Sequence, residues 1–263
     1  MSTSTEALST TTRRLPRGWA HLALQFGFWI GFYFVYQAAR GIADREGVTT
    51  AFANGQAIID FQRGIHSMAE LTLQRAVESS GFLIQATSIT YWLSQFAVVG
   101  LALVWVYLQA HDHFYAFRNT LILGNVIGLV GYVLLPTAPP RMFPEAGFTD
   151  TLAAHSTVNH SSTFVAFSSN EYAAMPSLHA LDALIVSVVM ATLVRRRWAK
   201  VLWLAWSPWV WFAVMATGNH FWLDIAAGVL VASVAGAIVY RAGLLSKSTR
   251  AAPSSPRARA CRI

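Results

Sequence analysis

Apolar residues come in long blocks separated by short polar breaks, and six such blocks recur along the chain. They run approximately from Trp19 to Ala39, Ile89 to Gln109, Thr120 to Pro136, Ala180 to Val194, Val201 to Thr217 and Phe221 to Tyr240. A bilayer core about 30 Å thick needs roughly 17–25 helical residues. The pattern therefore predicts an all-α, polytopic membrane protein, a six-transmembrane-helix bundle. The fourth block is short for a span, and its helix is expected to begin inside the preceding loop. The first exceeds the roughly 7–15 apolar residues of a signal peptide, which predicts a retained helix. GxxxG spacings at Gly27/Gly31 and Gly124/Gly128 predict close helix contacts.

Residues 52–78 follow a different rhythm. Ile58, Phe61, Ile65, Met68 and Leu71 recur at three- and four-residue spacing with charges between them, which predicts an amphipathic helix. Two placements are open: an extracytoplasmic interfacial helix on the membrane surface, or a helix packed on the rim of the bundle. Residues 137–178 form a polar loop of a length that is often functional. The polar ends are expected to be a disordered cytoplasmic N-terminus (1–18) and a basic disordered cytoplasmic tail (244–263), leaving 19–243 as the membrane domain.

Composition narrows the class. With 55% hydrophobic and 12% charged residues, and a mean hydropathy of +0.44, the chain is neither intrinsically disordered, nor a basic nucleic-acid-binding domain, nor an ordinary soluble enzyme. The net charge of +7 then speaks to orientation. If the N-terminus is cytoplasmic, six spans return the C-terminus to the same side. Of the 19 Lys and Arg, only Arg40, Arg45, Arg63, Arg75 and Arg141 then face outward, as the positive-inside rule requires. This predicts a multi-pass cell-membrane protein with both termini cytoplasmic. The single cysteine, Cys261, excludes an intrachain disulfide and a cysteine-rich metal cluster. It lies in the basic tail without a recognised lipidation signal.

Three short motifs carry candidate chemistry: PTAPPR at 136–141, AMPSLHA at 174–180 and GNHFWLD at 218–224. His220 and Asp224 are four residues apart, so on a helix they share a face. A carboxylate there accepts the imidazole N–H, fixes the tautomer and frees the other ring nitrogen as nucleophile or base. Ser177 precedes the fourth block as a helix cap, and His179 follows it. Each feature also has a plain structural reading: a chance pair, a capped helix with an interfacial histidine, a surface arginine at Arg141. Topology adds what no motif contains, because the inferred crossings bring all three motifs to the outer face. Converging there, His220 would attack phosphorus and Asp224 would orient it, while His179 would protonate the departing oxygen. Arg141 and the Ser177 hydroxyl would hold the non-bridging oxygens. The scheme needs neither a metal nor a cofactor, and its partner is a lipid phosphate substrate in the bilayer rather than a nucleic acid.

In order and spacing, these motifs resemble those of the membrane-bound type 2 phosphatidic acid phosphatase superfamily, most of all its inositol phosphorylceramide synthase-like branch. The resemblance covers about residues 20–240. It implies a phosphohistidine at His220, with Asp224 as its partner and His179 as the acid. Against the phosphatase pattern, Leu134 and Val214 stand where two cations are usual, Met142 replaces a proline, and Leu178 replaces a glycine as in the synthase-like branch. A site short of cations suits a phosphodiester monoanion better than a monoester dianion. The expected function is an integral-membrane phosphoesterase or phosphotransferase acting on a lipid-linked phosphate at the outer leaflet, with transfer to an alcohol or to water. A lipid phosphate monoester phosphatase is the alternative, and a non-catalytic transport or scaffold protein is the alternative of another class. Soluble vanadium haloperoxidases share related histidine motifs, but the six apolar blocks and the missing cations argue against that chemistry.

Three further features weigh less. Asp182 either orients His179 or is an ordinary residue at the start of its span. His111, Asp112 and His113 are read as a solvated loop rather than a metal site. His155 and His160 sit in the outer loop and are either substrate contacts or, as exposed histidines usually are, without a role.

Overall fold

The computed structural model describes residues 15–43, 48–155, 172 and 174–251. Most of the expected N-terminal segment, His160 and the end of the tail with Cys261 lie outside the described residues. The described chain is helical and, among the described residues, contains no strand. Its elements are α1 (Gly18–Ala43), α2 (Val48–Gly64), α3 (Ala69–Glu78), α4 (Gly81–Leu93), α5 (Val99–Gln109), α6 (His111–Leu134), α7 (Thr151–His155), α8 (Leu178–Leu193), α9 (Arg197–Ala216) and α10 (Trp222–Ala251). A π-turn over Ser94–Val98 joins α4 to α5 without a break.

Among the described residues, four helices are long and apolar enough to cross a membrane: Gly81–Gln109, His111–Leu134, Arg197–Ala216 and Trp222–Gly243. They turn large apolar side chains outward, among them Leu101, Val130, Leu202 and Leu230, as lipid-facing helices do. The first and fourth expected spans are present as α1 and α8 but fall outside these four. α1 carries His21 and Gln25 among its apolar residues. α8 has only 16 residues. It is also the innermost helix: Leu178, Leu181, Ile185, Val186 and Met190 are all buried, packed by α6, α9 and α10. A helix packed against protein over most of its surface, with Val188 still exposed, need not match the bilayer thickness itself.

Three expected boundaries shift. α6 begins at His111 rather than Thr120, so the expected loop is the first turn of a helix, with the His111 ring edge-on to Tyr107 at 4.8 Å. α10 continues past Leu244 to Ala251, into the segment expected to be a tail. Residues 52–78 form two helices instead of one, broken around His66, whose φ is +54°. Part of the apolar stripe packs on protein. Ile58, Met68 and Leu71 pack with Ala138, Phe143, Phe148 and Phe221 into an apolar cluster beneath the polar loop, while Phe61 and Ile65 stay exposed.

Glycines set how closely α8 meets its neighbours. A Cβ on Gly124 would lie 3.0 Å from Leu181, and one on Gly128 would lie 2.3 Å from Leu178, so this GxxxG pair is a helix contact. Gly27 and Gly31 have open space instead. An equally tight approach, this time to backbone, involves a position outside both pairs, Gly228 on α10. Its Cβ would stand 2.3 Å from the Ser177 carbonyl oxygen, a backbone atom that cannot step aside. Alanine ordinarily gains up to about 1 kcal/mol over glycine inside a helix. At this position overpacking outweighs that gain, and Gly228→Ala is expected to cost a net of about 1–3 kcal/mol. The check is a lower Tm of the detergent-solubilised variant, and an unchanged or higher Tm would contradict the contact.

Candidate active site

The three motifs meet at one end of the bundle, and main-chain hydrogen bonds lock them together. Thr137 N–H donates to the Tyr172 carbonyl (3.0 Å), and Ala174 N–H donates back to the Thr137 carbonyl (3.1 Å). Arg141 N–H donates to the Gly218 carbonyl (2.8 Å), and Ser177 N–H donates to the Asp224 carbonyl (3.0 Å). The loop after α6, the start of α8 and the α9–α10 turn thus form one unit. Gly218 makes the turn possible: its φ is +71°, and a Cβ there would meet Gln74 and Thr149 at 3.0 Å.

His220 is buried in this turn. Its Nδ1 lies 2.9 Å from the Ala174 carbonyl, which can only accept, so the ring proton sits on Nδ1 and Nε2 keeps its lone pair. Asp224 Oδ2 stands farther from the same nitrogen, at 3.4 Å, and accepts Phe221 N–H at 2.8 Å. The expected His–Asp pairing is therefore present as the longer of two contacts, and a backbone carbonyl makes the shorter one. Burial pushes the His220 pKa down to about 3, opposed by the hydrogen bond to Ala174 and aided by the nearby Arg141 charge. The ring is a neutral base.

The other expected residues surround it. His179 stacks on Tyr91 of α4, with centroids 4.6 Å apart, and faces His220 at 5.8 Å with the rings inclined by 59°. Ser177 caps α8 as the sequence predicts: its Oγ accepts Ala180 N–H at 3.2 Å. Arg141 is mostly buried. Its Nη1 donates to Asn219 Oδ1 at 2.6 Å, and its Nε lies 3.8 Å from Asp150. Asp182 accepts from Asn125 Nδ2 at 2.8 Å, tying α8 to α6. At the positions without cations, Val214 is buried in an apolar cluster with Ala180, Val210 and Ile225, and Leu134 is exposed at the end of α6. Among the described residues, Arg141 is the cation in the three motifs.

The α2–α3 elbow closes the site from the side. Asn54 Nδ2 donates to the Pro136 carbonyl (2.7 Å), and Ala138 N–H donates to the Ala51 carbonyl (2.9 Å). Gln74 bonds the main chain of Thr149 in both directions, at 2.7 and 3.1 Å. Glu70 accepts the Trp222 N–H. Sequence reasoning missed Asn219, Asp150, Tyr91, Glu70 and the Ala174 carbonyl. Asn219 lies inside a quoted motif beside His220, and that adjacency was its only signal. A backbone acceptor leaves no mark in a sequence.

Residues 56–238, well over half of the chain, match the profile of the PAP2 superfamily. The chain belongs to the PAP2 superfamily. Among solved structures, the crystal structure of LpxE from Aquifex aeolicus has a similar fold, with a TM-score of 0.50 and 14% identity over 65% of this chain and 92% of that one. No curated protein matches. PAP2 membership together with the apolar helices supports a membrane lipid phosphatase at the coarse level. The motifs at 136–141, 174–180 and 218–224 all lie inside the matched range.

A buried neutral histidine has a measurable signature. Unfolded, the imidazole takes up a proton near pH 6.5, and folded it does not. His220 therefore contributes instability as the pH falls below about 6.5 toward 3. In nitrogen-15 histidine spectra one ring is expected to stay in the neutral Nδ1–H form from pH 8 to 5, and to vanish in His220→Ala. Titration of that ring near 6.5 would contradict the buried geometry.

Proposed function

We propose that this PAP2-superfamily chain is an integral-membrane phosphoesterase or phosphotransferase acting on a lipid-linked phosphate, with both termini cytoplasmic and the site at the outer leaflet. His220 Nε2 attacks phosphorus and forms the N–P bond of a phosphohistidine as the P–O bond to the leaving group breaks. The imidazolium that forms keeps its Nδ1–H on the Ala174 carbonyl, with Asp224 as its counter-charge. His179, held by Tyr91, gives its proton to the departing oxygen. It then takes a proton from the water or alcohol that attacks the intermediate. Arg141 and the Ser177 hydroxyl bind the non-bridging oxygens, and the amino end of α8 adds its partial positive charge.

The observation that carries this reading is the His220 ring itself. It is buried, neutral, protonated on Nδ1 and set beside a second histidine. The choice of substrate follows from charge. With valine and leucine where the related phosphatases carry cations, one arginine balances a phosphodiester monoanion and leaves a monoester dianion under-compensated. That balance supports the synthase-like branch, as does Leu178, which fills the space over Gly128. Hydrolysis of a lipid phosphate monoester is the second reading.

Purified protein incubated with phosphorus-labelled phospholipids, with and without alcohol acceptors, tests both readings. Diesters are expected to turn over faster than phosphatidic acid, and labelled product lipid is expected when an acceptor is present. Arg141→Gln is expected to lower turnover by about 10²-fold, and His220→Ala to reduce it by about 10³-fold or more. Full turnover by His220→Ala would overturn the mechanism, and a clear preference for monoesters would favour the second reading.

A further inference from the structure

Glu70 is a fully buried carboxyl on α3, far in sequence from every motif. It stands at the start of α10, where Trp222 N–H, two residues past His220, donates to its Oε1. Gln62 Nε2 of α2 donates to the same oxygen at 2.9 Å. The Trp222 indole N–H donates to the Ser67 carbonyl in the α2–α3 elbow at 3.2 Å. The elbow thus grips the first residue of α10 by both its backbone and its side chain. This is the helix whose first turn carries Asp224.

The pattern of unpaired oxygens is specific. Three buried acceptors in this junction have no partner among the described residues: Gln62 Oε1, Glu70 Oε2 and Asp224 Oδ1. Buried polar atoms are nearly always paired, so this junction has room for a further donor. On Glu70 both hydrogen bonds fall on Oε1 and none on Oε2. That is the pattern of a carboxylic acid, with Oε1 as its carbonyl and Oε2 as its hydroxyl.

We propose that Glu70 is a positioning residue for the His220–Asp224 pair, acting as a neutral, proton-bearing carboxyl that latches the α2–α3 elbow to the start of α10. Its Oε2–H supplies one donor to this group of unpaired acceptors. Burial raises its pKa above the usual carboxylate range, opposed by the hydrogen bonds from Trp222 N–H, its own N–H and Gln62, with the nearby Asp224 as the smallest raising contribution. The groups facing Glu70 are Gln62 from α2, which is uncharged, and Asp224 from α10, with His220 beyond it. Ionising Glu70 would set a second negative charge beside Asp224 and disturb the orientation of the nucleophile.

The inference rests on the proposed chemistry for its kinetic arm and is independent of it for its spectroscopic arm. Glu70→Ala is expected to lower kcat at least tenfold with KM within about twofold of wild type. Glu70→Gln keeps the Oε1 acceptor and a donor, so it is expected to recover most of the kcat and to lose the alkaline decline that Glu70 ionisation imposes on the wild type. Should Glu70→Ala fail to fold, Glu70→Gln decides alone. A folded Glu70→Gln as impaired as Glu70→Ala, or a Glu70→Ala with unchanged kcat, would overturn the proposal. Without any substrate, the infrared difference between wild type and Glu70→Gln at neutral pH is expected to show the C=O band of a protonated carboxyl. A carboxylate band in its place would overturn the proposal even if the phosphohistidine chemistry holds. Absence of lipid-phosphate turnover in the wild type would instead count against the chemistry and leave the latch intact.

Discussion

One ring nitrogen organises the site. His220 Nδ1 gives its hydrogen to the Ala174 carbonyl, and this alone decides that Nε2 carries the lone pair. That carbonyl is fixed because Ala174 N–H is bound to Thr137 and Ser177 N–H is bound to the Asp224 carbonyl. The tautomer of one histidine thus depends on three loops from separate parts of the chain being docked. A backbone acceptor suits this purpose, since it cannot rotate away or change charge as a side chain can. Asp224, at the longer distance, is free to hold Phe221 N–H and to compensate the ring only when it becomes positive.

The same economy governs the phosphate side. Charge is costly near the membrane and is kept where it is used. Arg141 is held by Asn219 and faces Asp150. Its carboxylate neighbour limits the positive charge the site offers, and the two apolar substitutions limit it further. Val214 is not a passive replacement. Its side chain belongs to the core under the α9–α10 turn, and its carbonyl accepts N–H groups from both Asn219 and His220. A cation at this position would sit in that core, so the packing and the lean electrostatics are two sides of one choice. That balance is what the proposed preference for an anion of low charge rests on.

Much of this was legible in the amino-acid order. Hydrophobic blocks gave the helical architecture, and their parity brought Arg141, His179 and His220 to one end. The Pro-Ser pair marked the start of α8, and Gly124/Gly128 marked a true close contact. What stayed hidden depends on tertiary structure. α8 reads as a short span in one dimension, yet it is a buried central helix. Ile58, Met68 and Leu71 have the same spacing whether they face lipid or protein, so only the fold shows that they support the polar loop. Asn219, Glu70 and the Ala174 carbonyl act through partners up to 152 residues away, a relation no local pattern encodes. Gly27/Gly31 shows the converse, a motif whose spacing is right and which has no close contact among the described residues.

The account stands on His220 as the atom donor to phosphorus. Wild-type protein mixed with a phosphorus-labelled lipid and quenched in alkali, where an N–P bond survives, tests this directly once the labelled peptide is located. The label is predicted on His220 and is predicted to disappear together with turnover in His220→Ala. Label on a different residue, or turnover that persists in His220→Ala, would contradict the account.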